Sequence, residues 1–257
     1  VISFVIPAYN EELELPSTIA AIEDAAGQVR QWDGLVLWGD RQYEIIVVDD
    51  ASTDATAEVA KGAGAKVVSI SRRQIAAARN AGAHAARGDI LFFVDADTRI
   101  NPKHIVDAIA ALAAGYSGGS ARVTVGGAIP LWARILIKIF CTIYFWLNLG
   151  AGAFLFTIRQ NFDAIGGFSE ELFAGEEVFF SLALRKIGRL KVLREPIVTS
   201  GRKLRMYSGR EILANMFAVM IGGMRTVRSR DKLDLWYNGK RETKSAFAAP
   251  LRRDRST

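Results

Sequence analysis

Across the first hundred residues, four short apolar runs alternate with stretches whose apolar residues recur every three or four positions. Residues 3–6, 44–48, 66–70 and 90–94 are predicted to be strands. The last of these, Ile-Leu-Phe-Phe-Val, has no polar position and so reads as a strand covered on both faces, as in a parallel sheet. The 3.6-residue periodicity predicts helices over about 13–26, 54–62 and 74–86. Asn101-Pro102 then marks a fourth, with Asn as cap and Pro at the first helical position. Four successive β-α units imply an α/β fold with a mostly parallel central sheet and helices on both faces. Residues 28–42, with Trp32, Trp38 and mixed charge, read as a surface excursion.

The second half differs in kind. Residues 123–125 and 153–157 alternate like strands, 176–187 like a helix, and 191–194 and 197–199 read as two short extended pieces. Residues 130–149 are apolar nearly all round, with a narrow polar stripe of Arg134, Lys138 and Thr142. The stretch 139–156 runs eighteen residues without a formal charge, long enough to raise the question of a membrane span. Asn148 and the glycines at its end argue for a buried or interfacial helix instead. Trp132, Tyr144, Phe145 and Trp146 beside Arg134 and Lys138 suit a bilayer interface, and equally a helix–helix or dimer seam. A Met-rich apolar helix over 209–227 ends in Arg225, Arg228 and Arg230.

Charge divides the chain in the same place. Residues 1–128 hold 11 Lys/Arg against 16 Asp/Glu, whereas 129–257 hold 22 against 11. An acidic half suits a cation, and a basic half suits phosphates or an anionic surface. Aromatics are not interleaved with the basic tail (Lys240, Arg241, Lys244, Arg252, Arg253, Arg255), so nucleic acid is not an expected partner. One cysteine, Cys141, excludes an internal disulfide. No secretory leader pattern is visible, and the expected setting is cytoplasmic, with peripheral contact at the inner face of the cytoplasmic membrane.

Candidate chemistry gathers where strands end. Asp95-Ala96-Asp97 follows the buried strand 90–94, at the edge of an open α/β sheet where ligands bind. Mg²⁺ or Mn²⁺ takes one or two such carboxylates together with substrate phosphates. Asp97 is the stronger candidate ligand, and Asp95 suits ribose or a metal-bound water. The only histidines, His84 and His104, read as surface or helix-packing residues. Three further segments accompany this one: Pro7-Ala8-Tyr9-Asn10-Glu11-Glu12 after the first strand, Val48-Asp49-Asp50-Ala51-Ser52-Thr53-Asp54 after the second, and Ala78-Arg79-Asn80-Ala81-Gly82 on the helix before the fourth.

In order, spacing and wording, this set resembles the family 2 glycosyltransferases of the GT-A fold, over about residues 1–200. The resemblance implies an inverting, metal-dependent transfer of a sugar from a UDP-, GDP- or dTDP-sugar to a hydroxyl acceptor on a lipid or glycan. It implies that Pro7, Tyr9 and Glu11 line the nucleoside pocket and that Arg79 lies near base and diphosphate. A base ring N–H needs an acceptor, which Asp49 or Asp50 supplies; Asp50 is favoured, with helix capping left to Ser52 or Asp54. Gly166-Gly167-Phe168-Ser169-Glu170 followed by Gly175-Glu176-Glu177 resembles the family's G-G-F…E-D element, whose second acid is the catalytic base. Here that position is Glu177 rather than Asp, which leaves inversion or retention open. Glu176 and Glu177 lie about 100° apart on a helix, so only one faces the cleft squarely. Gly150-Ala151-Gly152-Ala153 and Arg159 match a segment near donor sugar and acceptor. Arg202, with Lys203 beside it, would stabilise developing diphosphate charge. The expected organisation is a transferase domain over 1–205, with a nucleotide-sugar half at 1–128 and an acceptor half at 129–205. A C-terminal amphipathic helix and basic tail would occupy 206–257. Nucleotidyl transfer calls for a glycine-rich basic loop after the first strand, which Pro7–Glu11 does not supply. A non-catalytic membrane-surface module is the other competitor.

Overall fold

The computed structural model describes residues 1–30, 42–126, 152–201 and 228. The expected helices at 130–149 and 209–227, Cys141, Gly150, Ala151, Arg202, Lys203 and the basic tail beyond Arg228 lie outside them.

Four parallel strands form one half of an eight-stranded sheet: β1 (Ile2–Ala8), β2 (Tyr43–Asp50), β3 (Lys66–Ile70) and β4 (Ile90–Val94). The other half comprises β5 (Thr98–Arg99), β6 (Tyr116–Gly126), β7 (Phe154–Ile158) and β8 (Arg189–Ser200), giving the spatial order β3-β2-β1-β4-β7-β6-β8-β5. Here β4–β7, β6–β7 and β5–β8 are antiparallel and only β6–β8 is parallel. The mostly parallel expectation therefore holds for the first half, and the sheet as a whole is mixed.

Side-chain alternation sorts the core into two layers. Phe4, Ile6, Val47, Phe92 and Val94 face α1 (Leu15–Arg30), α2 (Thr56–Gly62) and α4 (Pro102–Ala113). Val5, Ile46, Val48, Leu91 and Phe93 face α3 (Ile75–Ala85), α5 (Arg159–Ala164) and α6 (Glu176–Ile187). All five residues of β4 are buried, as a strand covered on both faces requires. Pro7 is accommodated inside a central strand because β1 pairs with β4 only through Val5, while its pairing with β2 continues to Ala8.

The two extended pieces expected at 191–194 and 197–199 are one twelve-residue strand. It crosses Glu195-Pro196 where its register with β6 shifts between Ala121 and Arg122. Strand β6 begins seven residues before the expected 123, because Gly118-Gly119 is strand rather than turn. A Cβ on Gly119 would collide with the Lys191 carbonyl and the Phe156 ring, so glycine is what lets the three strands close up. His84 is exposed, whereas His104 is buried. The His104 Nδ1 accepts the Asn101 backbone N–H at 2.9 Å, completing a capping box at the start of α4.

Candidate active site

The parallel half ends in three interlocked loops. Asn10 donates its backbone N–H to Ser52 Oγ (2.9 Å), and its side chain exchanges hydrogen bonds with Thr53. The Glu11 N–H donates to Thr56 Oγ1 (2.8 Å), and the Glu12 N–H to Asp54 Oδ2 (3.2 Å). Asp54 also accepts the Thr56 N–H at the start of α2, while Ser52 serves the first loop rather than a helix. The S-T-D-x-T wording is thus a clasp that fixes Tyr9–Glu12 against the tip of β2. Asn10, Ala51 and Arg73, one in the loop after each of β1, β2 and β3, have φ of 53°, 59° and 51°. Left-handed backbone outside glycine persists only where surroundings impose it, and it concentrates at functional sites.

Alternation along β2 decides what its two aspartates do. Val48 faces α3, so Asp49 turns to the opposite side and Asp50 returns to the α3 side. There the Asp50 carboxylate accepts the backbone N–H groups of Arg72, Arg73 and Gln74, each at 2.7 Å, and so holds the turn leading into α3. Asp49, also buried, accepts only the N–H of Ser52, at 3.3 Å. Asp54 thus meets the start of α2. Asp50, expected at the nucleotide base, braces the turn into α3 instead, and Asp49 keeps more acceptor capacity. Pro7 and Glu11 are buried beside these tips. The Arg73 guanidinium lies 3.3 Å from the Tyr9 ring centroid, a stacking the sequence reading did not include.

The same alternation carries Asp95 past the end of β4 onto the α3–α6 side, while Ala96 packs in the other layer. Asp95 there meets Arg79, whose side chain is only 1 % exposed. Arg79 Nη2 donates to Asp95 Oδ1 and to the Gly152 carbonyl, both at 2.9 Å, and Nη1 donates to Glu176 Oε1 at 2.8 Å. Burial opposes charge on Arg79, but Asp95, Glu176 and Glu177 outweigh it and raise its pKa. Asp97 lies at the far side of the turn, where its Oδ1 accepts the Thr199 hydroxyl at 3.2 Å. The end of β8, two residues before Arg202, is thus brought to the aspartate pair.

Arg79, Asn80 and Gly82 of the Arg79-Asn80-Ala81-Gly82 segment have distinct tasks. Asn80 exchanges hydrogen bonds with the Phe168 backbone (both 2.9 Å) and reaches Glu170 Oε1 at 3.0 Å. It thereby pins the 166–170 loop, in which Gly166 and Gly167 have φ of 77° and 72°. A Cβ on Gly82 would collide with Val5 and lie 2.9 Å from Val48, so glycine sets the approach of α3 to the sheet. Arg159 is elsewhere. Its guanidinium bonds to the carbonyls of Ala83, Ala86 and Gly88, at the opposite end of β4 from Asp95.

Helix α6 opens at Gly175, whose φ is 71°. Glu176 is buried against Arg79, and this leaves Glu177 as the acid of the pair nearer solvent. Burial, then the neighbouring Glu176 charge, pushes the Glu177 carboxyl up to about 8. A Cβ built on Gly152 would lie 3.4 Å from Glu177 Cγ, so the backbone leading into β7 runs beside this acid. Burial also raises the pKa of Asp95, against the attraction of Arg79. Among the described residues, no three His, Cys, Asp or Glu side chains are grouped to hold a metal, and no helix is long and apolar enough to cross a membrane. The site therefore combines hydrogen-bonded strand tips, an aspartate pair at β4 and a high-pKa glutamate on a facing helix.

Comparison with known proteins gives the family and the fold. A family model described as "Glycosyl transferase family 2" matches residues 3–162. An undecaprenyl-phosphate 4-deoxy-4-formamido-L-arabinose transferase of Pseudomonas fluorescens is 35 % identical over 123 residues, 45 % of this chain and 33 % of that protein. A 4,4'-diaponeurosporenoate glycosyltransferase of Staphylococcus haemolyticus is 35 % identical over 115 residues, 42 % of this chain and 27 % of that protein. The chain spans about a third of the length of the curated relatives it matches. Among solved structures, the mannosyltransferase PcManGT of Pyrobaculum calidifontis, in complex with GDP-Man and Mn²⁺, is similar with a TM-score of 0.58. It is 16 % identical, over 96 % of this chain and 69 % of that one. Glucosyl-3-phosphoglycerate synthase of Mycobacterium tuberculosis, with Mn²⁺, UDP and glucosyl-3-phosphoglycerate, gives 0.55 at 22 % identity, over 94 % and 81 % of the two chains. These likenesses show the GT-A fold. With more than half its residues matched by the family model, the chain belongs to glycosyl transferase family 2.

Proposed function

We propose that this chain transfers a sugar from a nucleotide-diphosphate sugar to an acceptor oxygen, with inversion and with a divalent cation in the donor site. The observation that carries the reading is the meeting, around Arg79, of the β4 aspartate turn with the glutamate pair of α6. Two solved structures of like fold carry Mn²⁺ with GDP-Man or UDP, which supports the same classes of ligand here.

In this reading Pro7, Tyr9 and Glu11 border the nucleoside, and Asp49 accepts the base ring N–H. Asp50 supports the pocket through the 72–74 backbone. Asp97 and Asp95 suit Mn²⁺ or Mg²⁺: hard carboxylate oxygens on one turn, too few to enclose the ion, leave positions for diphosphate oxygens and water. When bound, the cation offsets charge on the departing diphosphate. Arg202, two residues past the end of β8, assists in the same role. The acceptor oxygen attacks the anomeric carbon as the bond to the diphosphate oxygen breaks, and Glu177 takes the hydroxyl proton. Only the ionised carboxylate can take that proton, so turnover is expected to rise with pH toward a midpoint of about 8. Residues 1–205 form the transferase unit in this assignment, with the donor half at 1–128 and the acceptor half at 129–205.

The relatives' names favour a lipid acceptor, and they raise a second reading. A lipid phosphate, as in the undecaprenyl-phosphate transferases, carries an oxygen already ionised at neutral pH and needs no base. A thermal-shift panel of UDP-, GDP- and dTDP-sugars with and without Mn²⁺ tests the donor site, because a ligand of the folded state raises the melting temperature. One donor is expected to shift it only with metal, and Asp97→Ala to abolish that shift. No shift with any donor would remove the proposal. Turnover on a lipid alcohol but not a lipid phosphate selects the first acceptor, and the converse selects the second.

A further inference from the structure

Arg79 and Glu176 are too deeply buried to reach a substrate, yet they join the two sides of the site. Arg79 is 1 % exposed, Glu176 is 4 % exposed, and the Arg79 Nε is buried without a hydrogen-bond partner. The guanidinium spans three segments remote in sequence: the β4 tip at Asp95, the Gly152 carbonyl before β7, and the first turn of α6 at Glu176. Its flat side lies over Phe168, 5.2 Å from the ring centroid, in the loop that Asn80 holds. The acceptors are divided between the two Nη atoms of a rigid, planar fork; a lysine ammonium holds its three donors on one nitrogen and does not reproduce that spread.

We propose that Arg79 and Glu176 form a buried clamp that holds the β4 tip at Asp95 in place and sets the position and charge of the acceptor-side carboxylate Glu177. Both are positioning residues, and Arg79 contacts neither base nor diphosphate. The assignment rests on Glu177 and Asp95 having the roles proposed above. Three charged groups act on Glu177: Glu176 on its own helix, Arg79 from α3 and Asp95 from the β4 tip. The two acids oppose its ionisation and the arginine favours it. Glu176→Gln keeps an oxygen for Arg79 to bond while removing one opposing charge. Arg79→Lys keeps the cation but releases one end of the clamp.

Two measurements test this on the full chain. The first follows the carboxyl ¹³C signal of Glu177, identified by its loss in Glu177→Gln, against pH. Glu176→Gln is expected to lower its midpoint by about one pH unit, and an unmoved or raised midpoint overturns the clamp. The second compares kcat and donor KM in Arg79→Lys. The expected result is a kcat lower by about 10²-fold, with a smaller rise in donor KM transmitted through Asp95. A raised donor KM with kcat retained overturns the proposal, because Arg79 would then act on the donor side alone and not through Glu177. If the wild type transfers no sugar at all, the proposed function fails, and the carbon titration still decides the clamp.

Discussion

The two halves of the sheet hold their carboxylates by different physics. At the tips of β1–β3, acids face backbone N–H groups and hydroxyls: Asp50 takes three N–H donors, and Asp54 and Asp49 take loop amides. At the seam where β4 meets β7 and α6, acids face one buried arginine and one another. Hydrogen bonds to fixed amides give a carboxylate a single geometry. Charges sharing a poorly solvated site instead move one another's proton affinities, and there Asp95 and Glu177 are both raised. The first arrangement suits a rigid floor for the nucleoside, and the second a wall that carries Asp95 on the donor side and exchanges a proton at Glu177. Changes in the floor should therefore appear in donor binding, and changes at Glu177 in turnover.

The sharpest way to break that contrast is Glu177→Gln. With a hydroxyl acceptor, kcat is expected to fall by about 10²–10⁴-fold while donor KM stays within a few fold. Near-full activity would return Glu177 to a structural role, or point to the ionised lipid phosphate. The same substitution has a stability signature. The folded chain keeps the Glu177 proton to about pH 8, whereas the unfolded chain releases it near 4.5. Stability therefore falls as pH rises between those values, and Glu177→Gln should flatten the fall in a pH series of melting temperatures. Next in size is Asp50→Ala, which strands three backbone donors. It is expected to cost about 3 kcal/mol and to raise donor KM with less effect on kcat. If kcat fell and donor KM did not, the division of labour between the halves would be wrong.

Periodicity made the parallel half legible because its strands are short, mainly apolar runs closed by polar turns. Strands β3 and β4 and helix α6 have the expected boundaries. The mixed half was less legible for two local reasons. Gly118-Gly119 resembles a turn and is in fact a close strand approach, and Glu195-Pro196 resembles a break and is a register shift. Within the site, residue types pointed to the strand tips, but partners did not follow from spacing. Strand parity was the available signal: counting on from Val48 and Phe93 puts Asp50 and Asp95 on the α3 side and Asp49 opposite. The Arg79–Glu176 pair, 97 residues apart, had no local trace, since it depends on how β7 and α6 return to the sheet.

Gly82→Ala tests the scaffold under both halves. Its methyl would overlap Val5 and press on Val48, so α3 would have to lift from the sheet. The expected loss is about 1–3 kcal/mol in a denaturant titration. Donor KM and kcat should worsen together, because α3 carries both Arg79 and the turn held by Asp50. A change in only one of the two would show that the halves are not joined through this helix.

The smallest effect lies at α4, which links β5 to β6. Capping boxes ordinarily place Glu or Gln at the third helical position, and here His104 fills it. Burial lowers the His104 pKa below its usual 6.5, and the neutral ring is the form whose Nδ1 can accept the Asn101 N–H. As pH falls below 6.5, the unfolded chain gains a proton that the folded chain resists, so the cap's contribution declines toward acid. His104→Gln keeps an acceptor without that proton. The difference between wild type and variant is expected to be within about 1 kcal/mol and to favour the variant increasingly between pH 7 and 5. Because Glu177 acts in the opposite direction over part of that range and is present in both proteins, its contribution cancels in the difference. A difference independent of pH would show that the ring is held by packing against Phe154 rather than by the cap.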